Sequence, residues 1–155
     1  MFNLSGKTAL VTGASGGIGS AIAKALAGQG ARLAVSGTNS EKLQALVTDL
    51  PQSGTIIADR NELLSKIRAG ASPEEMFSGY GAGDHVAVPA NLSDAASVDG
   101  LVPAAVEALG GKLDILVNNA GVTRDNLTMR MKDEEWDEVI RVNLEAAFRL
   151  MRAAA

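Results

Sequence analysis

The stretch Thr8-Ala-Leu-Val-Thr-Gly-Ala-Ser-Gly-Gly-Ile-Gly19 decides the fold. Its first five residues are apolar or β-branched and read as a short strand. Glycines at 13, 16, 17 and 19 then turn the chain, and the alanine-rich run from Ile18 to Ala27 reads as a helix. Strand, glycine turn and helix together open a βαβ unit. Gln29-Gly30 is a helix stop, and Arg32 to Val35 supplies the second strand. Glu41 to Leu50 follows as a second helix, with Leu43, Leu46, Val47 and Leu50 on one face.

The same rhythm returns further along. His85 to Pro89 and Leu113 to Val117 read as strands, and between them a helix runs from an N-cap at Ser93 to about Leu109. Asp133 to Ala155 reads as one long helix whose first turns carry acids suited to the positive end of its dipole. Alternating strands and helices predict a three-layer α/β domain, 1–155, around a doubly wound parallel sheet. Right-handed crossovers give the order 3-2-1-4 for the four strands. Residues 51–84 break the rhythm, because connections in such folds usually take two to six residues or so. They read as an insertion within the domain. Thr55 to Asp59 is a candidate strand in it, Asn61 to Ala69 a candidate helix, and the glycine-rich remainder has loop composition.

Composition removes whole classes of function. Fourteen basic against eighteen acidic residues give a net charge of −4, so there is no basic footprint for nucleic acid. Aromatic residues at 3% leave little for base stacking. No cysteine is present, which excludes disulfides and thiolate chemistry. His85 is the single histidine, which argues against a histidine metal site or a serine–histidine triad, so no metal is expected. The apolar run near Met1 is too short to span a bilayer. No membrane partner is expected, and the cytosol is the expected compartment.

The glycine turn is where chemistry enters. Gly13-x-x-x-Gly17-x-Gly19 lets backbone approach a pyrophosphate, while free amides and the helix dipole draw its negative charge. The bland alternative is a tight strand-to-helix turn. No Gly-Lys-Ser/Thr follows, so the P-loop reading fails. A dinucleotide fold reads the adenosine ribose at the end of the second strand, where an acid selects NAD. Here Ser36-Gly-Thr-Asn39 carries no acid before Glu41, which favours NADP; no arginine clamps a phosphate there, and Arg32 lies at the wrong end of the strand. A plain turn is the alternative. Asn118-Asn-Ala-Gly121 closes the Leu113 strand and Asn91-Leu-Ser-Asp94 follows the His85 strand, both at the ligand-binding edge; a strand-ending turn and a helix cap are their structural readings.

Thr12-Gly-x-x-x-Gly-x-Gly19, Asn91-Leu92 and Asn118-Asn-Ala-Gly121 together resemble the short-chain dehydrogenase/reductase family. The run Gly121 to Met131, then Trp136 and Val142-Asn-Leu144, is similar to its 3-oxoacyl-acyl-carrier-protein reductase branch. The resemblance covers residues 1–50 and about 85–155. It implies a Rossmann-like fold, NADP(H) as cofactor, and reduction of a 3-oxoacyl thioester carried by acyl-carrier protein. It implies that Gly13, Ser15, Gly16, Gly17, Ile18 and Gly19 hold the pyrophosphate and Thr38 lies near the ribose phosphate. Asn91 and Leu92 would flank the adenine, with Asn119, Ala120 and Gly121 on the nicotinamide side. Asn143 matches the asparagine of the family's Asn-Ser-Tyr-Lys constellation. Its structural reading is a buried, hydrogen-bonded residue bracing the helix, and both can hold.

The departures from the family are as informative. Its acid is a tyrosine with a lysine four residues on. Tyr80 is the single tyrosine here, Asp84 stands four residues on, no lysine follows Lys132 and no serine follows Ser97. The sequence therefore reads as the cofactor-binding half of a reductase, a fold incomplete relative to the family, inactive alone and expected to hold NADP(H) weakly or not at all by itself. The alternative is a non-catalytic or engineered α/β scaffold with the same ancestry. Glu74-Glu75 and the acidic run from Asp133 to Glu138 read as solvated helix starts, His85 as an edge residue, and Met129 and Met131 as packing residues under the site. An apolar helix face with Trp136, Ile140, Phe148 and Met151 predicts a homo-oligomer, a dimer in first place.

Overall fold

The computed structural model describes residues 3–51 and 85–155. The candidate strand and helix at 55–69, Glu74-Glu75, Tyr80 and most of the 51–84 insertion lie outside the described residues. Four strands, β1 (Thr8–Val11), β2 (Arg32–Val35), β3 (Val86–Ala87) and β4 (Ile115–Val117), form one sheet in the order β3-β2-β1-β4. All three pairings are parallel, with Leu10 opposite both Ala34 and Leu116. This is the expected 3-2-1-4 order.

Side-chain alternation along the strands builds three layers. Ala9, Val11, Leu33 and Val35 point to one face, where they meet α1 (Gly17–Ala27) and α2 (Ser40–Asp49) through Ala23, Ala27, Leu43 and Leu46. Leu10 and Ala34 point to the other and meet Leu101, Val102 and Ala105 of α3 (Ala95–Ala108), with Ala146 and Leu150 of α5 (Ala146–Ala154). β1 lies between two neighbours and two helix layers. That is why its run Ala-Leu-Val is wholly buried and wholly apolar.

Several local expectations need correction. α3 is capped by Asp94, whose carboxylate accepts the Ser97 amide at 2.8 Å, one residue after the expected Ser93. β3 spans two residues rather than five, and beyond it the Val88 and Ala90 amides still donate to the Val35 and Gly37 carbonyls at 2.9 and 3.1 Å. His85 is buried, not a surface or edge residue: Nδ1 accepts the Leu33 amide at 3.0 Å and Nε2 lies against the Pro51 carbonyl. Arg32 donates to the Ala108 and Leu109 carbonyls, closing the carboxyl end of α3.

The terminal helix is not continuous. α4 (Asp133–Ile140) passes into a π-helical turn, Arg141–Glu145, before α5 begins. Val142, Ala146 and Leu150 are buried, whereas Trp136, Leu144, Phe148 and Met151 are more than half exposed. Met129 is not beneath any floor; it is 92% exposed, on a turn that runs out from the sheet edge, and Met131 is half-buried.

Candidate functional site

In parallel sheets of this kind, ligands bind outside the carboxyl ends of the strands, at the point where the strand order reverses. All four strand ends meet there in one cleft of about 460 Å³. β1 contributes Thr12 and the glycine turn, β2 Ser36 to Thr38, β3 Ala90 to Ser93, and β4 Asn119 to Val122. Val142 of the π turn closes one wall. The volume lies within the usual range for small-molecule sites.

Thr12 and Asn119 tie β1 to β4 at the base of the cleft. The buried Thr12 hydroxyl accepts the Asn119 and Ala120 amides, both at 3.1 Å, and donates to the Val117 carbonyl at 3.2 Å. The Asn119 side-chain amide returns the link by donating to the Thr12 carbonyl at 3.0 Å and the Gly13 carbonyl at 3.3 Å. Asn119 therefore bridges the two loops through its side chain.

The glycines divide by what surrounds them. Gly13 has φ +64°, and a Cβ there would lie 2.8 Å from Ala120 Cα. On Gly19 a Cβ would fall 2.3 Å from the Gly13 carbonyl oxygen. These two are required by contact with the protein itself. A Cβ on Gly17 would meet nothing within 4 Å, and one on Gly16 only the Gly13 carbonyl at 3.4 Å, so that backbone is open to the cleft. α1 starts with no side chain capping its first turn, and helix geometry leaves the amides of Gly17, Ile18 and Gly19 without intrahelical acceptors. Open backbone, unclaimed amides and the helix dipole suit an anion such as a pyrophosphate.

Polar groups on the other strand ends are partly used in structure. Asn39 caps α2 by accepting the Lys42 amide at 2.9 Å. Asn91 accepts the Ser93 amide at 3.0 Å and gives its own amide to the Ser97 hydroxyl at 2.9 Å. Asn143, on the π turn, binds Val122 with both atoms of its amide, accepting from the nitrogen at 2.8 Å and donating to the carbonyl at 2.9 Å. It is exposed rather than buried, and it braces the loop after β4 rather than the helix that carries it. Bidentate Arg124–Glu138 contacts, both 2.8 Å, hold the following segment against α4. Among the described residues, no charged side chain, tyrosine or lysine lines the cleft, and no metal-binding cluster occurs.

All twelve residues expected at a cofactor, from Gly13 to Gly121, line this one cleft; Asn143 stands just behind it through Val122. The expectation missed Thr12, Ser36, Gly37, Ala90, Ser93, Val122 and Val142. All but Ala90 lie inside runs quoted above without being singled out for the cofactor, and a carboxyl-end position on a parallel strand was the signal for most of them. Val142 stands in the quoted run Val142-Asn-Leu144, but nothing in the apolar spacing marks the π turn that aims it inward.

Comparison with known proteins gives consistent matches. The model of the short chain dehydrogenase family matches residues 7–68 and 63–155. Nodulation protein G of Rhizobium sp. (strain N33) is 44% identical over 152 residues, 98% of this chain and 49% of that protein. The 3-oxoacyl-[acyl-carrier-protein] reductase FabG of Escherichia coli (strain K12) is 39% identical over 97% of this chain and 49% of its own length. A short chain dehydrogenase from Burkholderia cenocepacia J2315, solved in complex with NADP, superposes with a TM-score of 0.71 at 33% identity, covering 98% of this chain and 51% of that one. The chain thus spans about half the length of the relatives it matches.

Proposed function

The chain belongs to the short-chain dehydrogenase family, and from that premise we propose that its cleft binds a nicotinamide adenine dinucleotide, NADP(H) ahead of NAD(H), for reduction of a 3-oxoacyl thioester. The observation that carries the reading is the convergence of four strand ends on a neutral cleft with the unclaimed first-turn amides of α1 at its centre. Gly17 to Gly19 would hold the pyrophosphate by backbone donation. Ser15 and Thr38 would face the adenosine ribose, Asn91 and Leu92 the adenine, and Ala120, Gly121 and Val122 the nicotinamide. The cofactor, when bound, supplies a hydride to the substrate carbonyl carbon. Similarity to the FabG reductase supports the thioester as substrate, with acyl-carrier protein as its carrier.

Reduction also needs a proton for the carbonyl oxygen, and the described lining holds neither tyrosine nor lysine to give it. Asn143 binds Val122 through both its amide oxygen and its amide nitrogen, which positions the nicotinamide-side wall, and a neutral carboxamide is no acid for this step. The described residues accordingly form the cofactor side of the reaction. The same observation supports a second reading, a dinucleotide-binding module without turnover. Copies of the chain are further proposed to associate as a dimer through the exposed face carrying Trp136, Phe148 and Met151.

Titration with NADPH, followed by nicotinamide fluorescence, tests the cofactor reading; saturable binding is expected, and none would overturn it. NADPH oxidation with a 3-oxoacyl thioester separates the two readings. Turnover favours the reductase, and binding without turnover, the expected result for this polypeptide alone, favours the module.

A further inference from the structure

We propose that the Arg124–Glu138 ion pair is a positioning element for the nicotinamide half of the cleft, setting where Gly121 and Val122 stand without lining the site itself. The proposal rests on the cofactor reading above. Strand order divides the cleft: with the α1 amides at its centre, the adenosine half falls across the ends of β2 and β3, and the nicotinamide half across β4. Gly121 and Val122 form the β4 side, and neither Arg124 nor Glu138 is among the lining residues. Whatever these two charges do for a ligand, they do through the loop.

That loop has little else to hold it. Asn119 and Ala120 give their amides to the Thr12 hydroxyl. From Ala120 to Asn126, no backbone group bonds to another backbone group among the described residues. Side chains take over. Asn143 of the π turn accepts from the Val122 nitrogen at 2.8 Å and donates to its carbonyl at 2.9 Å. The Arg124 guanidinium donates through Nη1 to the Thr123 carbonyl at 3.1 Å. Through Nε and Nη2 it donates to the Glu138 carboxylate, both at 2.8 Å. Farther along, Asn126 makes longer contacts, 3.3 Å to the Glu135 carboxylate and 3.4 Å to the Arg130 carbonyl.

A loop held at one point can pivot, and a second point fixes it. Asn143 pins Val122 to the π turn, and the ion pair pins the chain at Thr123 and Arg124 to α4. Two parallel charge-assisted bonds fix direction as well as distance, which one bond does not. The wall has little slack behind it, since a Cβ on Gly121 would lie 3.3 Å from the Asn143 amide oxygen. A swing of the loop is therefore felt at Gly121 and Val122. The two side chains of the pair are 42% and 32% exposed, and an ion pair so open to water adds little to stability. Its consequence is the orientation of the loop, not the survival of the fold.

The test is paired titration of the 155-residue chain with NADPH and with 2′,5′-ADP, the adenosine end of the same cofactor without its nicotinamide. R124A and E138A should each weaken NADPH by about two- to tenfold, the size of one lost hydrogen-bonded contact, and dim the fluorescence of the bound nicotinamide. Both should leave 2′,5′-ADP affinity and the urea melt unchanged, which a merely structural pair would not. The double variant R124A/E138A should bind NADPH no more weakly than either single one, because each removes the same link. Equal losses of both ligands, NADPH affinity that does not fall, or losses that add in the double variant overturn the proposal. Failure of the wild-type chain to bind either ligand removes the cofactor reading as well, and is distinguishable from a wild type that binds both while the variants match it.

Discussion

Two residues in the glycine turn have different reasons to be glycine, and substitution can separate them. A side chain on Gly19 collides with the Gly13 carbonyl, which itself accepts from Gly16 and from the Asn119 amide. Gly19→Ala should therefore cost about 1–3 kcal/mol in a urea melt, the usual range for overpacking, and lose dinucleotide binding with it. Gly17 faces open space at the first position of α1, where alanine is the better helix former. Gly17→Ala should leave the melt unchanged or slightly raised, yet weaken NADPH binding severalfold by putting a methyl group against the phosphates. Loss of stability in Gly17→Ala would contradict this division. Thr12→Val is the companion experiment. It deletes a buried hydroxyl that serves three backbone groups and should cost about 1–3 kcal/mol.

At the scale of elements, β4 is fastened to β1 by an electrostatic clasp at the opposite end from the cleft. The Asp114 carboxylate accepts the Thr8 amide at 3.0 Å and faces the Lys112 ammonium at 2.8 Å and that of Lys7 at 3.5 Å. The Lys112 ammonium first, and the Thr8 amide after it, hold this carboxyl well below the usual carboxylate range. A carboxyl depressed in the folded state contributes stability above its unfolded pKa of about 3.9 and loses it as pH falls toward the folded value. Urea melts of Asp114→Asn should be weaker than wild type at pH 7, and the gap should narrow below pH of about 4. A gap that stays constant into acid would refute the clasp. These elements were legible to different degrees. The β1-turn-α1 unit, β2 and the strand order followed from apolar runs, glycines and handedness, which are local or topological rules. The π turn did not, because one extra residue in a helical turn leaves the apolar spacing of Val139, Val142 and Ala146 nearly as an α-helix would have it. His85 was misjudged since its burial depends on a Leu33 amide fifty-two positions away. The cofactor cleft was largely legible because its residues lie at predictable strand ends; the wall from Val142 was not.

On the whole molecule, the described surface is uneven. α4, the π turn and α5 give the core one stripe, Val142, Ala146 and Leu150, and give the outside another of Trp136, Leu144, Phe148 and Met151. Leu144, Phe148 and Met151, at steps of four and three, share one side of the helical column, and Trp136 lies eight residues before them. The large side chains of the outer stripe are each more than half exposed, and the Arg152 guanidinium lies 5.5 Å from the Phe148 ring centre. Beside the core, β4 is an edge strand with every residue half-buried. Contiguous apolar surface of this kind favours association, and burial of each such side chain is worth about 1.5–3 kcal/mol. Light scattering on a size-exclusion column should then show a dimer at micromolar concentration, with Trp136 shielded from a soluble quencher. Phe148→Glu places a charge in the middle of the stripe without touching the cleft or the buried stripe. It should shift the chain to a monomer and expose Trp136 to quencher, while NADPH binding persists. A wild-type chain that runs as a monomer at high concentration, with Trp136 fully quenchable, would show that this face has no partner among its own copies.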